Sequence, residues 1–299
     1  MADQSEREID QISGVQTTGH EWDGIKELDN PMPRWWLWTF YATCIWGLLY
    51  TIAYPAWPLV NSATTGLLGW SSRADLETSV AAADAANADR IAAIDAASVA
   101  EIVADPSLRT FAAAAGAAHY RVNCSQCHGA GAAGGFGYPN LNDDAWIWGG
   151  SPEAIYLTLL HGIRWDQDWD TRLAEMPRFG VDQILSREEV SDVAWHVMSL
   201  SGEVEETEAA LRGGEIYLEQ CASCHGDAGE GIRDLGAPTL SDAIWLYGDS
   251  HEEITAQIWD PRLGVMPGWL ARLGDRGVKE VSVYVHGLGG GEPSEEVEQ

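Results

Sequence analysis

Two short runs constrain this chain more than any other feature: Cys124-Ser-Gln-Cys127-His128 and Cys221-Ala-Ser-Cys224-His225. Both read C-x-x-C-H, the attachment signature of c-type haem. The spacing has a physical reason. Residues three apart lie side by side on a helical turn, so both thiols reach the two vinyl groups of one porphyrin. The next residue then sets its imidazole on the iron. A thioredoxin-like dithiol or half of a zinc site also uses paired cysteines. The dithiol does not need the following His, and it usually follows a βαβ pattern that is absent here. A zinc set lacks an obvious fourth ligand in each copy. Two covalently bound haem c groups are therefore expected.

The motifs belong to an internal repeat. GAAHYRVNCSQCH (116–128) matches GGEIYLEQCASCH (213–225), with Cys124 and Cys221 97 positions apart. Downstream, Pro139-Asn140-Leu141 corresponds to Pro238-Thr239-Leu240, and DAWIWG (144–149) to DAIWLYG (242–248) with a one-residue slip. Each unit closes on a helical pattern, SREEVSDVAWHVMSL in the first and VKEVSVYVHGL in the second, with an acidic stretch at 202–208 between them. These features predict two related domains, 111–202 and 209–290, followed by an acidic tail, 291–299.

Each iron needs a second axial ligand. Met176 lies 48 residues after His128 and Met266 lies 41 after His225, each followed by Pro. His/Met ligation saturates the iron and raises its potential, which suits electron transfer. Met is also a common core filler, but a Met-Pro pair recurring at the same place in both repeats favours ligation. His161, His196 and Met198 compete in the first repeat, and His251 and His286 in the second. Sequence alone leaves open whether either Met crosses to the other repeat's haem. Trp146, Trp148 and Trp245 can line haem pockets or donate to propionates, and each fits ordinary core packing equally well. Arg164, Arg172 and Arg262 are further candidates for propionates. The glycines after each motif suit a loop around the haem edge and do not form a phosphate-binding pattern. No nucleophile, acid–base pair or separate metal cluster stands out, so the cofactor carries the chemistry.

No Asp, Glu, Lys or Arg occurs from Trp35 to Ser72. Within that stretch WWLWTFYATCIWGLLYTIAY (35–54) is strongly apolar, and a helix of that length matches a bilayer core of about 30 Å. Trp35, Trp36 and Trp38 crowd one end and Tyr54 and Trp57 the other, as interfacial belts do; a buried core helix is the competing reading. The expectation is a cytoplasmic N-terminal segment, 1–34, and a transmembrane helix, 35–58, ended by Pro55 and Pro58. The acidic leader and the lack of a nearby A-x-A site argue against a cleaved signal peptide. Lys26 and Arg34 before the span, against Arg73 after it, favour a cytoplasmic N-terminus. Covalent haem attachment outside the bacterial cytoplasm agrees, placing the haem domains in the periplasm. Residues 59–110 read as a periplasmic connector. Ile91, Ile94 and Ile102 recur at near-helical spacing, so it is either a packed helix or a long linker.

Composition narrows the partners. The chain has 299 residues, with 17 basic against 46 acidic and a net charge of -29. Nucleic acid is excluded as a ligand, because phosphate binding needs clustered Lys and Arg. A basic protein partner suits this charge, as does a merely well-solvated surface. The 5 Cys are too few for a disulfide scaffold; the odd one, Cys44, lies inside the apolar run as a small apolar residue.

TTGHEWDGIKELDNPMPRWWLW (17–38), one apolar helix and two C-x-x-C-H units with Met-Pro together resemble the dihaem subunit III of cbb3-type cytochrome c oxidases. The resemblance runs from about Thr17 to Gly290. Its specific part is HEWDGI followed by N-P-x-P-R-W-W-L-W. The Ala-rich stretch Arg73–Thr110 carries no transferable motif. The implied fold is mainly α: one N-terminal transmembrane helix, then two tandem class I-like cytochrome c domains. Carried over, Cys124, Cys127, His128 and Met176 hold one haem, and Cys221, Cys224, His225 and Met266 the other. The implied role is non-catalytic electron transfer. Electrons come from a soluble or membrane-attached cytochrome c or a cytochrome bc complex. They pass toward a monohaem subunit and the haem–copper catalytic subunit that reduces oxygen. A free-standing membrane-anchored dihaem cytochrome, a dihaem peroxidase and a cytochrome subunit of a periplasmic dehydrogenase are the alternatives.

Overall fold

The computed structural model describes residues 8–202, 204, 205 and 207–294. The start of the N-terminal segment and all but four residues of the acidic tail lie outside the described residues, as do two glutamates of the stretch between the repeats. The chain divides into two compact units, one ending at Ala86 and one beginning at Asn87.

In the first unit β1 (Thr17–Trp22) pairs antiparallel with β2 (Ile25–Leu28). Asp23 and Gly24 join them with positive φ at both positions, 49° and 84°, which is the type I′ geometry that Asp-Gly favours. Helix α1 (Arg34–Ala53) begins directly after Pro33 and has no buried residue. The expected span of 35–58 is thus helical only as far as Ala53. Pro55 removes an amide donor and pushes Tyr54 into an extended conformation, φ -114° and ψ 162°. The chain then turns back, and Leu67 and Leu68 donate to the carbonyls of Ile52 and Ala53 at 2.9 and 3.0 Å, satisfying two orphan groups of the helix end. By mean hydropathy, no helix among the described residues is long and apolar enough to cross a membrane.

The second unit is helical. It takes in the end of α2 (Ser72–Ala96), then α3 (Val99–Ala104), α4 (Pro106–Asn123), α5 (Ser125–His128) and α6 (Pro152–His161). The second half holds α7 (Arg187–Leu200), α8 (Glu208–Gln220), α9 (Ala222–His225), α10 (His251–Trp259) and α11 (Leu270–His286). Local signals place the ends: Asp105 caps α4, which has Pro at its first turn, and α3, α7 and α10 start on capping boxes. Ile94 and Ile102 are fully buried against Ala112 of α4 and Val283 of α11, with Ile91 half-buried. This part of the connector is packed helix and not free linker.

The repeats do not close on themselves. The last helix, α11, packs on α4 and α6, whereas α7 packs on α8 and α10. Each repeat's terminal helix completes the other repeat. Both crossings are close: a Cβ at Gly116 would strike the backbone carbonyl of Glu280, and one at Gly213 that of Asp192. One turn on, the Tyr120 ring meets Tyr284 at 5.3 Å and Tyr217 meets His196 at 5.1 Å. The boundaries 111–202 and 209–290 therefore separate the repeats in sequence but not the two bodies in space.

Each crossing buries an acid. Arg212 holds Asp192 with two bonds of 2.7 and 2.8 Å, and Glu280 lies 3.3 Å from Nε2 of His119. Burial pushes the Glu280 carboxyl above its ordinary 4.5. His119 and Arg276 oppose the rise, and Asp95 adds to it. With the folded value raised, the native state binds this proton more tightly than the unfolded chain. Its contribution is therefore full below the unfolded value and is lost as pH rises through the folded one. In thermal melts, Glu280→Gln should raise Tm at neutral pH and flatten this part of the acid-to-neutral slope; an unchanged profile would contradict the assignment.

Candidate functional site

Helices α4 and α8 each run straight into a C-x-x-C-H turn. Amides of Cys127 and His128 bond the Cys124 carbonyl at 3.1 and 3.0 Å, and those of Cys224 and His225 bond Cys221 at the same two distances. Gly129 and Gly226, at φ 80° and 79°, take the chain out of the turn in the left-handed region. Two fully buried tyrosines pin that exit: Tyr120 Oη donates to the Gly129 carbonyl at 2.9 Å and Tyr217 Oη to Gly226 at 2.8 Å. Both occupy the position four before the first Cys, so the repeat itself carried their signal.

In each turn the first thiol is buried and the second exposed, and none of these four cysteines is in a disulfide. Burial, helped by the neighbouring thiol, pushes Cys124 and Cys221 up to about 11, so both stay neutral thiols. His128 Nδ1 lies 3.1 Å from the Pro139 carbonyl and His225 Nδ1 3.0 Å from that of Pro238. A carbonyl at Nδ1 fixes the proton there and leaves Nε2 its lone pair for a metal. Burial lowers both imidazoles, with the prolyl carbonyls opposing, which keeps them neutral. Pro139 and Pro238 are visible in sequence as repeated residues, but the role of their carbonyls as acceptors that orient each imidazole is not.

The structure crosses the two methionines. Half-buried Met266 packs in one cluster with Tyr120, Cys124, Ile155, Leu159 and Val278, so it belongs beside the first motif. Met176 packs with Val190, Val197, Tyr217, Cys221 and Ala222, beside the second. This reverses the pairing carried over from the resemblance, Met176 with Cys124 and Met266 with Cys221. The reason is the helix exchange, because each Met precedes the terminal helix that its repeat lends to the other. Met266 is fixed by paired backbone bonds to Ile163, 2.8 and 3.0 Å, just after α6.

Of the competing ligands, His161 Nδ1 meets Asp168 at 3.0 Å and His286 Nε2 meets the Glu292 carbonyl at 2.7 Å. His251 stacks on Trp195 at 4.2 Å and contacts Ser191. His196 lies against the Tyr217 ring, and Met198 joins the cluster that contains Met176. Trp146 donates to the Gly290 carbonyl at 2.6 Å, which makes it a packing residue. Arg172 lies over the Trp148 ring and Arg262 over Phe136, both at 5.2 Å. Arg164 donates instead to two backbone carbonyls.

Trp245 differs. It packs against the second motif's cluster, and its indole Nε1 is buried with no hydrogen-bond partner among the described residues. A buried orphan donor is costly, and a propionate is an acceptor of the kind it lacks. Unbridged thiol pairs, imidazoles with Nε2 left over, a thioether in each cluster and this orphan donor fit two c-type haems. The fold and these turns define a dihaem cytochrome c.

Comparison with known proteins agrees and goes further. Residues 14–61 match the N-terminal domain of cytochrome oxidase-cbb3, FixP; residues 113–201 match Cytochrome c; residues 208–285 match Cytochrome C oxidase, cbb3-type, subunit III. The chain is 52% identical over 292 residues to the cbb3-type cytochrome c oxidase subunit FixP of Sinorhizobium medicae, covering 98% of this chain and 100% of that one. It is 52% identical over 276 residues to the cbb3-type subunit CcoP of Cereibacter sphaeroides, covering 92% and 95%. With CcoP of an Azospirillum species the identity is 46% over 290 residues, covering 94% and 98%. The chain belongs to the family of cbb3-type cytochrome c oxidase subunit III, and its two cytochrome c domains carry two covalently bound haem c groups.

Proposed function

We propose that the chain is a two-site electron relay with exchanged axial ligands. Cys124, Cys127 and His128 hold one haem with Met266 as the sixth ligand. Cys221, Cys224 and His225 hold the other with Met176. The observation that carries this reading is the pair of clusters joining Met266 to Cys124 and Met176 to Cys221. When bound, each haem supplies a one-electron iron couple whose potential the axial set tunes. With a haem bound, each His would present Nε2 and the clustered Met its thioether to the iron, the buried tyrosines and valines would keep water out, and Trp245 Nε1 would be offered to a propionate.

The chain serves as an electron-transfer subunit of a cbb3-type oxidase, delivering toward its haem–copper catalytic subunit. A monohaem cytochrome c subunit is the immediate acceptor, and a cytochrome c or a cytochrome bc complex the donor. The net charge of -29 suits a basic donor surface. Helix α1 spans the inner membrane, with residues 1–34 cytoplasmic and the haem domains periplasmic. Support comes from its twenty residues without a buried side chain and without charge after Arg34. Mean hydropathy undervalues it, because Trp and Tyr score near neutral although their rings favour the headgroup level. The periplasmic connector then leads into the two repeats.

The test is Cys221→Ala with Cys224→Ala in the tagged full-length chain, purified in mild detergent. The expected result is half the covalent haem, with haem b and copper still co-purifying and cytochrome c-driven oxygen uptake lost. Two covalent haems per chain, or undiminished uptake, would overturn the relay.

A further inference from the structure

Arg164 sits where both methionine loops meet. It follows α6 by three residues and holds a left-handed conformation, φ 51°, that is uncommon for a side chain of this size. Its own amide bonds the Arg172 carbonyl at 2.9 Å, closing the intervening loop. The half-buried guanidinium then forks. Nε donates to the Gly264 carbonyl at 2.6 Å and Nη1 to the Ala174 carbonyl at 3.0 Å. Gly264 is two residues before Met266, and Ala174 is two residues before Met176. One side chain thus grips the approach to each thioether. Among the described residues the second repeat has no equivalent fork: the Arg262 guanidinium lies over Phe136, and its backbone N–H and carbonyl bond the side-chain amide of Gln257.

We propose that Arg164 is a positioning residue shared by both axial methionines, fixing the Met176 loop and the Met266 loop with one guanidinium. The inference rests on the exchanged ligation proposed above. A Met–iron bond is readily displaced, so the order of its loop decides how well it competes with an outside ligand. Charge-assisted bonds to carbonyls are stronger than neutral ones, and the planar fork satisfies two acceptors at once. A lysine keeps the charge but offers a single ammonium point, which cannot reproduce that fork.

The experiment uses the full oxidase complex in its ferric state. It reads the methionine-to-iron charge-transfer absorption and the affinity of each haem c for imidazole, the two haems being assigned with Met176→His and Met266→His. Arg164→Gln is expected to raise imidazole affinity about tenfold at both haems, the equivalent of one lost hydrogen bond per loop, about 1.4 kcal/mol. Arg164→Lys is expected to raise it at one haem or both. A change at one haem only in Arg164→Gln overturns the shared role. Wild-type affinity at both haems in Arg164→Lys also overturns it, by showing that charge and not the fork matters; that variant decides alone should Arg164→Gln not retain haem. A wild-type spectrum without the charge-transfer absorption, or one untouched by both methionine variants, removes the ligand reading itself and takes this proposal with it. That result is distinct from wild-type methionine signals that ignore Arg164.

Discussion

Met266→His is expected to lower the potential of the haem on Cys124 and Cys127 by roughly 0.2 V or more, part of the ~0.8 V range that axial ligands control. The haem on Cys221 and Cys224 keeps its potential. The background that settles it is the chain with Cys221→Ala and Cys224→Ala, which retains the first motif alone. In that background Met266→His is expected to move the remaining couple in a redox titration, and Met176→His to leave it in place. The opposite pattern would restore ligation in sequence order. Met266 is bonded through its backbone to Ile163 and clustered with Cys124, which sets its side chain beside the first motif. A histidine there replaces a thioether that favours the reduced iron with an imidazole that favours it less.

Gly116→Ala is the second large effect. The added methyl would run into the Glu280 carbonyl, a backbone atom that cannot rotate aside. Helices α4 and α11 must separate, and overpacking of this kind costs about 3 kcal/mol. For a unit of this size that is about 6–12 °C in Tm, measured by calorimetry or by the haem Soret signal during heating. Gly213→Ala should do the same at the Asp192 carbonyl. Gly131→Ala is the control, since a Cβ there meets nothing within 4 Å. Equal, small shifts in all three would mean that the crossings are looser than described.

The chemistry of the site was legible from spacing alone, because a covalent porphyrin demands two thiols three apart and an adjacent imidazole. The repeat was legible for the same reason, down to Tyr120 and Tyr217. The exchange was not. Val190, Val193 and Val197 of α7 match Val278, Val281 and Val285 of α11, and all six are buried. Two helices with the same apolar face fit the same groove, so sequence does not say which one fills it. Of the two prolines that can end α1, the backbone obeys the first, Pro55, although an apolar composition continues past Tyr54. The hairpin before it had a clear turn signal in Asp23-Gly24, but its strands are mostly exposed and lack the alternation that marks a half-buried strand. For the connector, only burial of Ile94 and Ile102 decided between packed helix and linker.

The exchange of terminal helices also sets an order of biosynthesis. Cys124 leaves the ribosome long before Leu270, yet the wall of its pocket formed by Val278 and Val281 belongs to α11. As the chain is synthesised from its N-terminus, the first turn stays uncovered until nearly the whole protein has been made. This topology keeps the earlier site open longest. A ribosome stalled before α11 would release a chain with its second body complete and its first still gaping, a ready substrate for proteolysis.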